Sequence, residues 1–390
     1  MNKFKNFLKI NILFIFIFLR NIKRFILKIH SLIFNKFIHI SLSSKRKGAK
    51  IIKRENGFIL SFIFKNYFTF HLRPRYEADY HNLSTFAKET KDLAIIIQGN
   101  VGENFSFLLE TCKIYKKIFP NSLIIISTWD DEVKQNFDIM SKLGVSVIFN
   151  KRPSDPGFGN INLQLVSTKS GLDLAKLKNL KYCIKTRADC RMNKNDIYPY
   201  LKALVEIFPL KKNVKANSRI VASSVNTCKY KIYGTTDILL FGHIDDMLIY
   251  FESTLFDESL LKYKFGKFPS LINNTPVVAE TFLCARYLKN IGVNLEWTLD
   301  HWWECLRDYF CIIDSDSIDF LWKKKDWQYE KRFLKSYSSL SHRAVNFADW
   351  ISLYNELNLN WNEIDYQEKW ELNNNRKNLN EDLFKKKSLF

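Results

Sequence analysis

A chain of 390 residues with a 46% apolar share has ample material for a core, and its length allows two or three domains or one large α/β domain with attachments. Its seven cysteines, an odd number with no close Cys-x-x-Cys pair, argue against a disulfide framework or a zinc module and fit a reducing compartment. The net charge of +20 is concentrated: residues 1–55 hold 14 of the 60 Lys and Arg but one of the 40 acids, which leaves the rest of the chain without the distributed basic face of a nucleic-acid binder.

The N-terminal segment interleaves its charge with apolar residues. The longest unbroken apolar run, Ile12 to Leu19, is far short of the ~20 residues a helix needs to span a bilayer. Arg20, Arg24, Lys28, Ser31, Asn35 and His39 then recur every three or four positions, with Phe25, Ile26, Ile29, Ile33 and Phe37 between them. That pattern predicts a helix lying in an anionic membrane surface, its apolar face in lipid and its cations on headgroups. No small-residue cleavage site follows Leu19, which speaks against a signal peptide. Residues 1–56 are therefore read as a membrane-surface segment and linker, peripheral on the inner face of the plasma membrane, and 57–91 as a lead-in.

From Asp92 the pattern alternates between strand and helix. Leu93–Ile97 reads as a strand ending in Gln98-Gly99-Asn100, followed by a helix over 105–119 closed by Pro120. Leu123–Ile126 is a second strand, ending in Ser127-Thr128-Trp129-Asp130, and Val145–Phe149 a third, with a helix between them. Another helix opens at Asn160 and runs to about Leu177. Tyr182 to Met192 follows, a short apolar run that breaks into Arg187, Asp189 and Arg191 as it leaves the sheet. Arg219–Ser223 and Asp237–Phe241 read as further strands, Asp245-Asp246 as a helix start, and 276–287, holding Glu280, as a helix near the sheet. This order predicts right-handed crossovers and a mainly parallel α/β sheet flanked by helices over 92–313. A charged, Trp-rich extension with a mobile tail is expected over 314–390.

In such sheets ligands bind beyond the carboxyl ends of the strands, where Gln98 to Asn100, Ser127 to Asp130 and Arg187 to Arg191 would meet. A carboxylate between two guanidiniums there suits a phosphorylated ligand or a metal, or else forms a solvated ion-pair ladder. The chain has no Gly-x-x-x-x-Gly-Lys-Ser/Thr, no Gly-x-Gly-x-x-Gly and no Gly-x-Ser-x-Gly, so P-loop, Rossmann and triad-hydrolase readings lack support.

Several motifs in order carry a family resemblance. Gln98-Gly99-Asn100, Phe119-Pro120-Asn121, Ser127-Thr128-Trp129, Asn160-Ile161-Asn162-Leu163-Gln164, Ser167-Thr168-x-x-Gly171-Leu172, Lys185-Thr186-Arg187-x-Asp189-x-Arg191, Arg219-Ile220 and Thr236-Asp237-x-x-x-x-Gly242 resemble the WavE-type lipopolysaccharide synthesis proteins over roughly 93–292. The resemblance implies a GT-A-like glycosyltransferase of lipopolysaccharide core or capsule synthesis, moving a sugar from a nucleotide-sugar donor to a glycolipid, oligosaccharide or polysaccharide acceptor, with no nucleic-acid partner. It places the nucleotide-sugar on Gln98, Gly99, Asn100, Ser127, Thr128, Trp129, Asn162, Gln164, Arg187, Asp189 and Arg191. It also implies an Asp-x-Asp that holds Mg²⁺ or Mn²⁺ on the diphosphate. Here that place reads Asp189-Cys190-Arg191, so Asp189 is the one candidate metal ligand, and Arg187 with Arg191 could meet the diphosphate directly. A literal Asp-x-Asp, Asp314-Ser315-Asp316, lies too far along the chain for that place and reads as a surface turn.

For inverting transfer a carboxylate must take the acceptor proton, and Glu280 and Asp237 are the candidates, Glu280 foremost. Glu280 also reads as a helix N-terminal acid that complements the dipole. His301, beside Trp302 and Trp303, reads as a core-packed residue ahead of a late metal ligand or an acceptor platform. A sugar-phosphate transferase and a non-catalytic membrane-surface scaffold stay open beside the glycosyltransferase.

Overall fold

The computed structural model describes residues 89–132, 137–210, 214–252, 254–256, 279–323 and 344–355. The expected membrane-surface segment, nearly all of the lead-in and the expected mobile tail lie outside the described residues. Among those described, no helix is long and apolar enough to cross a membrane.

The chain opens with β1, Leu93–Gln98, whose six residues are all buried, as a central strand covered on both faces must be. A short 3-10 turn leads into helix α1 (Phe105–Ile118), followed by β2 (Leu123–Trp129), α2 (Asp138–Lys142), β3 (Ser146–Asn150) and α3 (Ile161–Leu177). Then come β4 (Tyr182–Arg187), β5 (Cys190–Met192), α4 (Ile197–Ile207), β6 (Ile220–Ser223), β7 (Leu240–His243) and α5 (Ile244–Phe251). After the next described stretch begins, α6 (Ala279–Asn290), α7 (Leu299–Tyr309), β8 (Phe310–Ile313), β9 (Phe320–Trp322) and α8 (Phe347–Tyr354) complete the order.

Seven strands form one sheet in the order β3-β2-β1-β4-β7-β6-β8. Strand β7 alone runs against the others, pairing antiparallel with both β4 and β6, while the remaining pairs are parallel. The expected α/β architecture, a mainly parallel sheet flanked by helices, is what the chain adopts. Strand positions 93–98, 123–129 and 146–150 fall within a few residues of the apolar runs that announce them.

Two stretches differ from expectation. The Tyr182–Met192 stretch divides: β4 ends at Arg187, Ala188 and Asp189 turn, and β5 joins a second, two-stranded sheet with β9. The described part of the chain beyond 313 packs onto the same body. Phe320–Trp322 pairs with β5, and α8 buries Trp350 against the main body, its indole donating to the Leu306 carbonyl at 3.0 Å. The second strand past the site also starts later than expected, at Leu240 rather than Asp237, because Asp237 is held by α3 and not by the ladder.

Helix α3 crosses the face of β1, β2 and β3. It presents Ile161, Leu165, Thr168, Leu172 and Ala175 inward at the three- and four-residue spacing of a helix face. Gly171 lies on that face, and a β-carbon there would meet Ile96 Cγ2 at 2.6 Å. Only a glycine lets the helix come so near the central strand. Gly171→Ala, which in an open helix would be stabilising by up to ~1 kcal/mol, should here lower stability by about 1–3 kcal/mol through overpacking. A urea melt of the two proteins reads the sign directly.

Candidate active site

The parallel strands end on one edge, and their register sets the candidate residues side by side. Gln98 at the end of β1 pairs with Ser127 of β2 on one side and Arg187 of β4 on the other. The 224–239 connection leaves β6 at this same edge and returns through Asp237 into the reversed β7, so the acceptor-side candidate enters where the nucleotide-side candidates end.

Most of these side chains are buried and hold the edge rather than line its surface. Gln98 accepts from Ser167 Oγ of α3 at 3.0 Å, and Ser127 and Thr128 are tied to Asn150, whose amide donates to Ser127 Oγ at 2.9 Å and to the Thr128 carbonyl at 2.8 Å. Trp129 is buried under Arg152, whose guanidinium sits 4.9 Å from the ring centroid. Asn162 clamps Phe256 at both backbone groups, accepting from its N–H at 2.6 Å and donating to its carbonyl at 2.8 Å. Of the expected nucleotide-side residues, Gly99, Asn100 and Arg187 are the ones that reach solvent. Gly99 has φ +113, a conformation that favours glycine, and its N–H donates to the Ser127 carbonyl at 3.1 Å.

Beneath the edge lies a buried polar cluster that the sequence pattern does not announce. Gln164 donates to Asp237 Oδ2 at 2.5 Å, and Lys185, fully buried in β4, is bonded to the Asp237 carbonyl with Gln164 Oε1 at 3.4 Å. Burial lowers the Lys185 ammonium to about 8, with the Asp237 charge opposing the fall. A lysine inside an apolar strand reads from sequence as the point where a strand meets water. Its only recognisable signal is its place within Lys185-Thr186-Arg187-x-Asp189.

Arg187 and Asp189 form the cluster nearest the surface. Arg187 Nε and one terminal nitrogen donate to the two oxygens of Asp189 at 2.9 and 3.1 Å, a bidentate pair. Asp189 Oδ2 also accepts the Trp322 indole N–H at 3.0 Å, and the guanidinium lies 5.5 Å from the Trp322 ring. Burial pushes the Asp189 carboxyl up, but the Arg187 hydrogen bonds and charge, with the Trp322 indole, overcome it and hold the group below the usual carboxylate range. Its stabilising contribution is therefore complete above the unfolded value near 3.9 and is lost as pH falls through the lower folded value. Asp189→Asn should cost about 1–3 kcal/mol at pH 7, since Arg187 loses its carboxylate partner but stays partly exposed, and denaturant melts at descending pH should show that gap closing below about pH 4.

Arg191 does not share this surface. It points into the body from β5, where Nε donates to Thr111 Oγ1 at 2.9 Å and a terminal nitrogen to the Phe107 carbonyl at 2.8 Å, with its guanidinium 4.1 Å from the Phe107 ring. The side chain is 1% exposed, so it braces α1 against β5 instead of standing beside Arg187.

The candidate base Glu280 stands in the first turn of α6, 3.4 Å from the Asn226 amide and 3.7 Å from Lys231 Nζ. Its side chain is 16% exposed, whereas the Asp237 residue, bonded to Gln164, is 6% exposed. Burial raises the Tyr250 phenol, and Cys284, Asp237, Tyr287 and Glu280 add to it, so both carboxylates lie within the electrostatic reach of one ring. His301 is half-buried: Tyr233 Oη lies 2.8 Å from its Nδ1 and accepts the Glu296 and Trp297 N–H groups. Asp314 caps the 315–318 turn and accepts the Phe347 N–H at 3.1 Å, while Asp316 is exposed. Among the described residues no three His, Cys, Asp or Glu side chains gather to hold a metal ion.

Residues 93–379 match the family described as WavE lipopolysaccharide synthesis. The chain belongs to that family. The match runs well past the 93–292 span on which the motif resemblance rests and takes in β8, β9 and α8. No curated protein matches this WavE-family chain. Solved structures similar to it include a cytidylyltransferase from Leptospira borgpetersenii serovar Hardjo-bovis, at 15% identity and TM-score 0.30, covering 68% of this chain and 94% of that one. Others are core-mannan synthase A from Aspergillus fumigatus in a Mn/GDP form (11%, TM-score 0.27, 48% and 69%) and a glycosyltransferase involved in glycosylation of the major capsid of PBCV-1 (12%, TM-score 0.28, 53% and 83%). At these identities and TM-scores the likenesses decide nothing about the WavE-family site, whose chemistry rests on its own residues.

Proposed function

We propose that this WavE-family chain is a GT-A-like glycosyltransferase that moves a sugar from a nucleotide-sugar to a glycolipid or oligosaccharide acceptor in lipopolysaccharide core or capsule synthesis. The observation that carries this reading is the register at the carboxyl edge. It sets the Gln98-Gly99-Asn100 loop beside Arg187, and the 224–239 connection that leaves the same edge carries Asp237 and meets Glu280 through Asn226 and Lys231.

In this reading the loop after β1 receives the base and ribose, and Gln98, Ser127, Thr128, Trp129, Asn162, Gln164 and Asp189 shape and hold that loop and its neighbours. Arg187 meets the diphosphate through its terminal nitrogen that Asp189 does not engage. Glu280 takes the proton of the acceptor hydroxyl as that oxygen bonds to the sugar C1; the C1–O bond to the diphosphate breaks, and the nucleoside diphosphate leaves with the electron pair. Asp237 is the second candidate for the base, but its tie to Gln164 and its burial over Lys185 suit a structural role better. Residues 1–56 would hold the enzyme on an anionic membrane surface, the inner face of the plasma membrane, where a lipid-linked acceptor resides.

The test is turnover by the full chain with UDP-, GDP- and CDP-sugars and a lipopolysaccharide-core acceptor. Acceptor-dependent release of nucleoside diphosphate with a sugar added to the acceptor supports the proposal. Release of nucleoside monophosphate with a sugar phosphate transferred would instead make the chain a sugar-phosphate transferase, and no release from folded, membrane-bound protein would leave the scaffold reading.

A further inference from the structure

In the place of an Asp-x-Asp, the WavE-family chain has a carboxylate already engaged and a guanidinium turned away. Asp189 Oδ1 accepts Arg187 Nε at 2.9 Å, with Cys190 Sγ at 3.6 Å, and Oδ2 accepts Arg187 at 3.1 Å and the Trp322 indole at 3.0 Å. A divalent cation on either oxygen would displace a hydrogen bond and stand against the Arg187 guanidinium. Hard cations such as Mg²⁺ and Mn²⁺ take several oxygen ligands, and the second carboxylate of the motif is here Arg191, bound inward to Thr111 and Phe107. The residues present do not fit a metal at this place.

The leaving diphosphate still needs positive charge, and the fold delivers a second cation from a distant part of the chain. Strand β9 pairs with β5 and ends at Trp322, the residue that both bonds Asp189 and lies against Arg187. The next residue, Lys323, donates its backbone N–H to the Asp189 carbonyl at 2.9 Å. Its ammonium reaches back to Asn104 Oδ1 at 3.1 Å, at the end of the 3-10 turn that follows the Gly99-Asn100 loop, and lies 5.6 Å from the Phe107 ring. Lys323 is exposed, and among the described residues no carboxylate takes its charge. Its backbone is thus tied to the residue that holds Arg187, and its ammonium to the turn that follows the loop after β1, at the rim a diphosphate would occupy if the nucleoside lay in that loop.

We propose that Arg187 and Lys323 form the cationic pair that receives the donor diphosphate in place of a divalent metal, with Asp189 and Trp322 as the positioning groups that hold the pair. This rests on the nucleotide-sugar reading of the same edge. Two cations on one diphosphate do the electrostatic work of the metal: they balance the charge that develops as the C1–O bond breaks. Arg187 supplies the fixed fork and Lys323 the adaptable point charge.

The experiment is calorimetric titration of the full chain with UDP, GDP and CDP and with the matching nucleosides, in EDTA and then in Mn²⁺, for wild type, Lys323→Ala and Lys323→Arg. The pair predicts that at least one nucleoside diphosphate binds equally well in EDTA and in Mn²⁺. It also predicts binding roughly tenfold weaker in Lys323→Ala, the loss of one charge-assisted contact, and largely restored in Lys323→Arg. Nucleoside binding and melting temperature should not move, since the Lys323 ammonium is exposed. Diphosphate binding that vanishes in EDTA and returns with Mn²⁺, or that ignores Lys323→Ala, overturns the pair and leaves the nucleotide-sugar site standing. Folded wild type that binds none of the three removes the pair and the site together.

Discussion

Glu280→Gln should leave the protein folded and its donor bound while lowering kcat by about 10²- to 10⁴-fold, the span over which a positioned general base contributes. Glutamine keeps the size of the side chain and can still bond Asn226, while it removes the proton acceptor and the charge facing Lys231. The Lys231 contact is a 3.7 Å pair between largely buried side chains, so a urea melt of Glu280→Gln accompanies the kinetics and separates any loss of stability from loss of turnover. Asp237→Asn gives the contrasting pattern. That carboxylate accepts from Gln164 and its charge favours the buried Lys185 ammonium, which is itself bonded to the Asp237 backbone carbonyl, so neutralisation disturbs a buried hydrogen bond and should cost about 1–3 kcal/mol of stability. Steady-state kinetics with donor titration, beside urea melts of both variants, separates the base from the brace. A Glu280→Gln enzyme with full kcat, or an Asp237→Asn enzyme that is stable but inactive, would exchange the two roles.

Arg187→Lys should weaken nucleoside diphosphate binding by roughly tenfold or more, because a lysine keeps one charge but cannot hold Asp189 with one side of a fork and a phosphate with the other. Part of the effect is structural. The pair with Asp189 is broken, but the Asp189 carboxylate keeps the Trp322 indole and Arg187 is 26% exposed in its side chain, so the stability loss should stay near 1–2 kcal/mol. Calorimetry of the folded variant at a temperature well below its melting point isolates the binding loss. Unchanged diphosphate affinity would mean that Arg187 serves only to hold Asp189 and the turn between β4 and β5.

The parts of this fold that announce themselves locally are the parts read from sequence most faithfully. Apolar runs such as Leu93–Ile97 and Leu123–Ile126 are long enough to mark buried strands, and the polar residues that follow them lie at the shared edge because parallel strands end together. What escaped depends on partners far away in the chain. The three residues of β9 are too short a run to mark a strand, and they form one because β5 pairs with them; that pairing brings Trp322 and Lys323 to Asp189. The inward turn of Arg191 follows from the same event: once Ala188 and Asp189 turn, β5 leaves the sheet and its arginine meets Thr111 and Phe107 of α1. Lys185 was hidden for a different reason. Its burial depends on Asp237, 52 positions later, and a cation in an apolar run ordinarily marks the way out to solvent.

The central claim, that the carboxyl edge of this sheet is a nucleotide-sugar site, is tested most directly by thermal unfolding of the full chain against a set of nucleotide-sugars, repeated with Arg187→Lys. A ligand at about 100 times its Kd adds ~2.7 kcal/mol to the folded state. At least one nucleotide-sugar should therefore raise the melting temperature of wild type clearly, and the same concentration should raise that of Arg187→Lys much less. A chain that unfolds at the same temperature with every nucleotide-sugar, or a shift that Arg187→Lys leaves intact, would contradict it.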